Sequence, residues 1–115
     1  MYQYKAELKR VVDGDTLDLI VDLGFKTKLE WRFRLEGIDT PETWRPKSAG
    51  EKEHGERATE FVINELKGKD ITVRTFKLGA YSRYSCEILY DGKNLVEELK
   101  KNGFEKRDSY EDYPL

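Results

Sequence analysis

Cysteine and histidine are almost missing from this chain of 115 residues, which has one of each. A single cysteine excludes an internal disulfide framework and any cysteine-rich zinc site. A single histidine excludes a multi-histidine metal centre, and a Ser-His-Asp triad would have to use it. Proline is scarce at three residues, and no apolar run approaches the ~20 residues that span a bilayer. A surplus of charge is lacking too: 21 Lys and Arg stand against 23 Asp and Glu. That balance removes the simple argument for nucleic-acid binding from a basic chain. Residues 1–10 carry no continuous apolar stretch of the kind that marks a secretion signal. A cytoplasmic protein without membrane association is therefore expected, with secretion the alternative if a leader precedes these residues.

What is present is charge and patterned apolar residues. Asp, Glu, Lys and Arg make up 38% of the chain, yet 12% is aromatic, and the Leu, Ile, Val and Phe residues fall in short clusters. This distribution fits one folded domain over residues 1–115 with a heavily charged surface, not a disordered chain. Basic residues gather locally: Lys67, Lys69, Arg74, Lys77 and Arg83 face a single acid, Asp70, within residues 67–83.

The first half alternates. Tyr4, Ala6 and Leu8 interleave with charged residues, and Val11-Val12 runs into Asp13-Gly14-Asp15. Leu17, Leu19 and Val21 alternate up to Asp22-Leu23-Gly24, then Leu29, Trp31, Phe33 and Leu35 share one face. Period-two patterning with one wet face predicts antiparallel strands, with turns at the glycines. Trp31 is expected in the core with Phe33 and Leu35. Between Gly55 and Gly68 the period changes, with Ala58, Phe61, Val62 and Leu66 at helical spacing and Gly68 placed to end the helix. His54 is expected just before that helix, solvated or capping it. Ile71, Val73 and Thr75 predict a fourth strand. Tyr84, Cys86 and Ile88 predict one face of a fifth, with Cys86 a buried small hydrophobe. Asn94 and Glu97 have the spacing of a capping box before a short helix that Gly103 stops. Five strands, one helix after the third and one after the fifth, suggest a small barrel of the oligonucleotide-binding type.

Two acidic turns stand out, Asp13-Gly14-Asp15-Thr16 and Asp39-Thr40-Pro41-Glu42. If they meet at a barrel rim, Asp15, Asp39 and Glu42 repel one another unless a cation sits among them. A hard divalent ion with oxygen ligands from Asp15, Asp39, a backbone carbonyl and water would supply it. The same turns also read as ordinary Asp-Gly and Asp-Thr-Pro connections. Arg34 and Arg83 are forks that match two phosphate oxygens, although either one taken alone reads first as a solvated surface charge. Trp44, close after Glu42, is placed either to stack on a base or to pack its loop.

Together these residues resemble the staphylococcal nuclease family. The matching stretches are Val11 to Thr16, Phe33 to Glu42, Tyr81-Ser82-Arg83, and the Asp91-Gly92-Lys93-Asn94-Leu95-Val96-Glu97 turn with Leu99 and Gly103, in the same order over about residues 5 to 104. The resemblance implies a five-stranded nuclease-like barrel and a calcium-dependent phosphodiesterase acting on single-stranded DNA or RNA and leaving 3′-phosphate ends. It implies that Asp15, Asp39 and the Thr40 carbonyl hold calcium, that Glu42 orients or activates water, and that Arg34 and Arg83 clamp the phosphate. Tyr81 matches a tyrosine near the nucleotide. Tyr110 and Tyr113 are expected either to stack on bases or to cover the barrel. A non-catalytic nucleic-acid-binding or protein-interaction barrel is the alternative. Three departures are visible. Ser82 stands where the family has glycine beside the arginine, the sequence stops at Leu115 where relatives continue into a third helix, and the charge balance is slightly acidic where secreted relatives are usually basic. A monomer, or a weak homo-oligomer paired through that shortened side, is expected.

Overall fold

Strands β1 (Tyr2–Asp13) and β2 (Thr16–Asp22) form an antiparallel hairpin closed at Gly14-Asp15, and β3 (Lys28–Leu35) adds to β2 in the same sense. The structure is a computed structural model that describes residues 2–78 and 84–110. Helix α1 (Ala49–Leu66) follows, then β4 (Ile71–Leu78), β5 (Tyr84–Tyr90), the two-residue strand β6 (Lys93–Asn94) and helix α2 (Leu95–Lys101). β4 pairs with the first half of β1 and with β5, both antiparallel. The barrel closes when β5 runs parallel to β3 across Phe33–Tyr84, Arg34–Ser85 and Leu35–Cys86. The result is a closed five-stranded barrel with two helices, mainly β, as the patterning suggests. The parallel closure is the one pairing that alternation alone does not give.

The core is built from the inward residues of that period-two pattern. Leu17, Leu19, Phe33, Leu35, Ile71, Val73, Cys86 and Ile88 fill the barrel, and Val62, Leu66, Leu95 and Leu99 close it from the two helices. Each such side chain contributes about 1.5–3 kcal/mol when fully buried. Burial in this apolar barrel pushes the Cys86 thiol up to about 12. Asn94 caps α2 as its spacing predicts, with Oδ1 accepting from the amides of Val96 at 2.9 Å and Glu97 at 3.4 Å.

Three expectations need correction. Trp31 and Leu29 lie outside the core, at 39% and 41% exposure, because β3 meets β5 only at Phe33–Leu35 and its earlier half runs past the closed barrel. Helix α1 begins well before Gly55: Ser48 is its N-cap, accepting from the Glu51 amide at 3.1 Å. His54 is consequently inside the helix and buried, neither solvated nor a cap.

Candidate functional site

Two close approaches bring the acidic turns together. A Cβ on Gly14 would lie 2.9 Å from Thr40 Cγ2 and 3.1 Å from Ala58 Cβ, so the first turn accepts the second only because it carries no side chain there. A Cβ on Gly55 would lie 2.7 Å from the Pro41 carbonyl oxygen and 3.0 Å from that of Glu42. The Pro41–Thr43 loop therefore lies directly on the backbone of α1. Polar contacts fix the same arrangement. The Thr40 amide donates to Asp15 Oδ2 at 2.9 Å, the Thr16 hydroxyl donates to Asp15 Oδ1 at 3.0 Å, and Thr43 donates its hydroxyl hydrogen to Asp13.

Arg34 stands between the two turns. Its Nη1 is 2.6 Å from Asp15 Oδ2, and its Nη2 donates to Asp39. Nη1 is buried against the Asp15 carboxylate, so one guanidinium ties the two acidic turns together. Asp15 and Thr40 are buried, whereas Asp39 and Glu42 are exposed. Arg34 and Asp39 line an open cleft of about 710 Å³ with Gly37, Ser85, Lys106 and Arg107. The Glu42 carboxyl is held above the usual carboxylate range. Burial of its inner side is the main cause, Asp13 adds repulsion, Lys106 opposes the shift, and Asp15 and Glu51 add smaller repulsion.

Behind this rim lies support that the sequence reading missed. Glu51, only 1% exposed, accepts from the Lys47 amide at 2.7 Å and from the Glu42 amide at 3.5 Å. Lys106 Nζ is 3.3 Å from the same carboxylate, and the Lys106 amide donates to the Asp39 carbonyl at 2.8 Å. The Ser48–Glu51 spacing is the sequence signal that could have located both the cap and this acid. His54 sits beside it. The Gly103 carbonyl can only accept, so Nε2 donates to it at 2.8 Å and Nδ1 accepts the Tyr110 hydroxyl hydrogen at 2.6 Å. Burial is the main reason the His54 pKa is lowered, with the charges of Arg107 and Arg57 lowering it further.

The structure thus brings Asp15, Arg34, Asp39, Thr40 and Glu42 to one rim. Trp44 is exposed in the loop beyond Glu42. Tyr110 lies against His54, its hydroxyl engaged there and with the Arg107 amide at 3.2 Å. Tyr81, Arg83 and Tyr113 lie outside the described residues. Among the described residues no three His, Cys, Asp or Glu side chains form a metal-holding group, and no helix is long and apolar enough to cross a membrane.

Comparison with known proteins agrees with this architecture. Residues 32–113 match the family model described as staphylococcal nuclease homologue. The thermonuclease of Staphylococcus hyicus is 32% identical over 104 residues, covering 88% of this chain and 57% of that protein. An uncharacterised protein of Methanocaldococcus jannaschii is 30% identical over 124 residues, covering 88% of this chain and 58% of that protein. The endonuclease YhcR of Bacillus subtilis is 31% identical over 110 residues, covering 89% of this chain and 9% of that protein. The chain spans less than two thirds of the length of each of these relatives. With a matching model over most of its length and the barrel that carries it, the chain belongs to the staphylococcal nuclease family.

Proposed function

We propose that this protein is a nuclease, a phosphodiesterase that hydrolyses single-stranded DNA or RNA at the rim of its barrel. The observation that carries the reading is Arg34. It is fixed between Asp15 and Asp39, its side chain stays 28% exposed, and it lines the 710 Å³ cleft. A phosphate entering that cleft would meet a planar guanidinium whose charge and fork shape suit its nonbridging oxygens. Nuclease-named relatives support the same class of reaction.

The donor chemistry suits calcium. Asp15, Asp39 and the Thr40 carbonyl offer oxygen alone, as a hard divalent ion prefers. With two carboxylates in the set, water and substrate oxygens would complete the shell. Bound there, the ion would withdraw charge from the phosphate.

The chain's own residues do the rest. Arg34 holds the phosphate and neutralises the charge that gathers on its oxygens, and Arg83 takes the partner role that the family resemblance gives it. Glu42, with its raised pKa, stands closer to the range in which a carboxylate can accept a proton from water. The water oxygen forms a bond to phosphorus and the bond to the 5′ oxygen breaks. The water proton passes to Glu42, the departing 5′ oxygen takes up a proton from solvent water, and the products are a 3′-phosphate and a 5′-hydroxyl. Trp44, Tyr81, Tyr110 and Tyr113 are the aromatic candidates for holding bases, with Tyr110 the least available because His54 engages its hydroxyl.

Cleavage of fluorescent single-stranded DNA and RNA in millimolar calcium tests this, with product ends read by mass spectrometry. Calcium-dependent release of 3′-phosphate ends is expected, abolished by EDTA and by Glu42→Ala. Arg34→Ala is expected to lower turnover about 10²–10³-fold, as when one charge-stabilising donor is removed. Strand binding without cleavage by the folded protein would instead make this a binding barrel.

A further inference from the structure

Arg34 is not alone on its face of the barrel. Residues 32 and 34 of β3 point the same way, and the register sets Arg34 opposite Thr16 and Arg32 opposite Asp18. Across β2, Asp18 stands opposite Arg10 of β1. Arg10, Asp18 and Arg32 therefore form a row across three strands. That row lies two strand residues, about 6.6–6.8 Å, from the row that holds Arg34.

The row is built around an almost buried acid. Asp18 accepts from Arg32 Nε at 2.8 Å and Nη2 at 3.2 Å, and from Arg10 Nη2 at 2.9 Å. One carboxylate between two guanidinium groups leaves a net positive charge. It also fixes both forks while their side chains stay accessible, at 64% for Arg10 and 45% for Arg32. These residues line a separate cleft of about 440 Å³ together with Glu30 and Trp31. The Glu30 charge is answered by Lys9 at 3.4 Å. The cleft thus presents oriented cations of the kind that the phosphates of a strand answer. In barrels of this architecture the face of strands 2 and 3 is where oligonucleotides bind.

We propose that the Arg10–Asp18–Arg32 row is a second phosphate-binding station, gripping the same single strand beyond the phosphate held by Arg34. Asp18 is a positioning residue that aims both arginines, and the strand crosses the outer face of β3 toward β1. This rests on the nucleic-acid substrate proposed above. Its consequence is a dependence on length: a dinucleotide reaches Arg34 alone, and a longer strand reaches both rows.

The test is direct binding in EDTA, by fluorescence anisotropy. A labelled oligothymidylate of about twelve nucleotides, within the ~4–16 that one such barrel covers, is compared with a dinucleotide over a salt series. Arg10→Gln leaves the Asp18–Arg32 pair intact. Asp18→Asn combined with Arg32→Gln replaces that pair by neutral amides of similar shape. Each is expected to weaken binding of the long strand roughly 3- to 10-fold and to reduce the log–log salt slope by ~0.7, the share of one phosphate contact on a single strand. Dinucleotide binding should not change. If thermal melting shows one variant unfolded, the other decides. Folded variants that bind the long strand as wild type does, with an unaltered slope, overturn the station. Wild-type protein that binds the long strand but cleaves nothing in calcium overturns the nuclease reading alone, and the slope still decides the station. Wild-type protein that binds neither strand overturns both.

Discussion

The ammonium of Lys106 stands 3.3 Å from the buried carboxylate of Glu51, joining the segment after α2 to the first turn of α1. Glu51 in turn accepts the Lys47 and Glu42 amides, so one acid fastens the loop that carries Glu42 from behind. Burial raises its pKa, but the Lys47 amide, the Lys106 ammonium and the Glu42 amide outweigh burial and leave it lowered. Glu51→Ala strands two amides and an ammonium. It is expected to cost about 2–4 kcal/mol, measured by urea denaturation. Because the folded pKa is depressed, this contribution is present above the unfolded value of 4.5 and is lost as pH falls through the folded one.

His54 gives a second pH dependence, at a higher window. Its folded pKa lies below the ordinary 6.5, so the unfolded chain takes up the proton first. Stability is full above pH 6.5 and declines as pH falls toward the folded value, by at most about 1.4 kcal/mol per pH unit for one proton. The groups acting on it are Arg57 of its own helix, and Arg107, Gly103 and Tyr110 from the segment packed on it. Equilibrium unfolding between pH 7.5 and 5 checks this. His54→Gln should remove the slope in that window, and an unchanged slope would contradict the assignment.

Glu42 works against the fold. Its pKa is raised, so its contribution is favourable below the unfolded value of 4.5 and is lost as pH rises through the folded one. Its ionised form is therefore a cost at neutral pH. Glu42→Gln is expected to raise the melting temperature at pH 7 while abolishing cleavage. At pH 4 the two proteins should melt closer together. A lower melting temperature at neutral pH would contradict the account.

Gly55 offers a test that touches no reacting group. Alanine there would set its Cβ 2.7 Å from the Pro41 carbonyl oxygen, and the loop or the helix must give way. Overpacking of this kind costs about 1–3 kcal/mol. Displacing Glu42 should lower turnover by more than the loss of folded protein explains, which single-turnover kinetics at matched folded concentration would resolve.

Much of this was legible in the sequence, where one local rule decided the outcome. Alternation placed Leu17, Leu19, Phe33 and Leu35 inside, the Asn94 cap announced α2, and Gly68 with its positive φ of 70° follows α1. What escaped depends on contacts between distant segments. The early turns of α1 bury Glu51 and His54 in place of apolar residues, so apolar periodicity begins only at Ala58. Trp31 matches the core pattern, but the barrel closes at Phe33, one step beyond it. Of the site, both acidic turns and Arg34 could be read from sequence. Glu51 and Lys106 could not be paired, because only the packed chain sets them side by side.

The lone cysteine has a use that its place in the barrel creates. A thiol held near pKa 12 at the centre of β5 presents almost no thiolate at neutral pH, and the strands around it shut reagents out. Modification of Cys86 must therefore wait for the barrel to open. The rate at which a disulfide reagent labels the native protein then becomes a clock for that opening. Fluorophores attached through cysteines introduced on the surface would go where they are put, with no background from the interior.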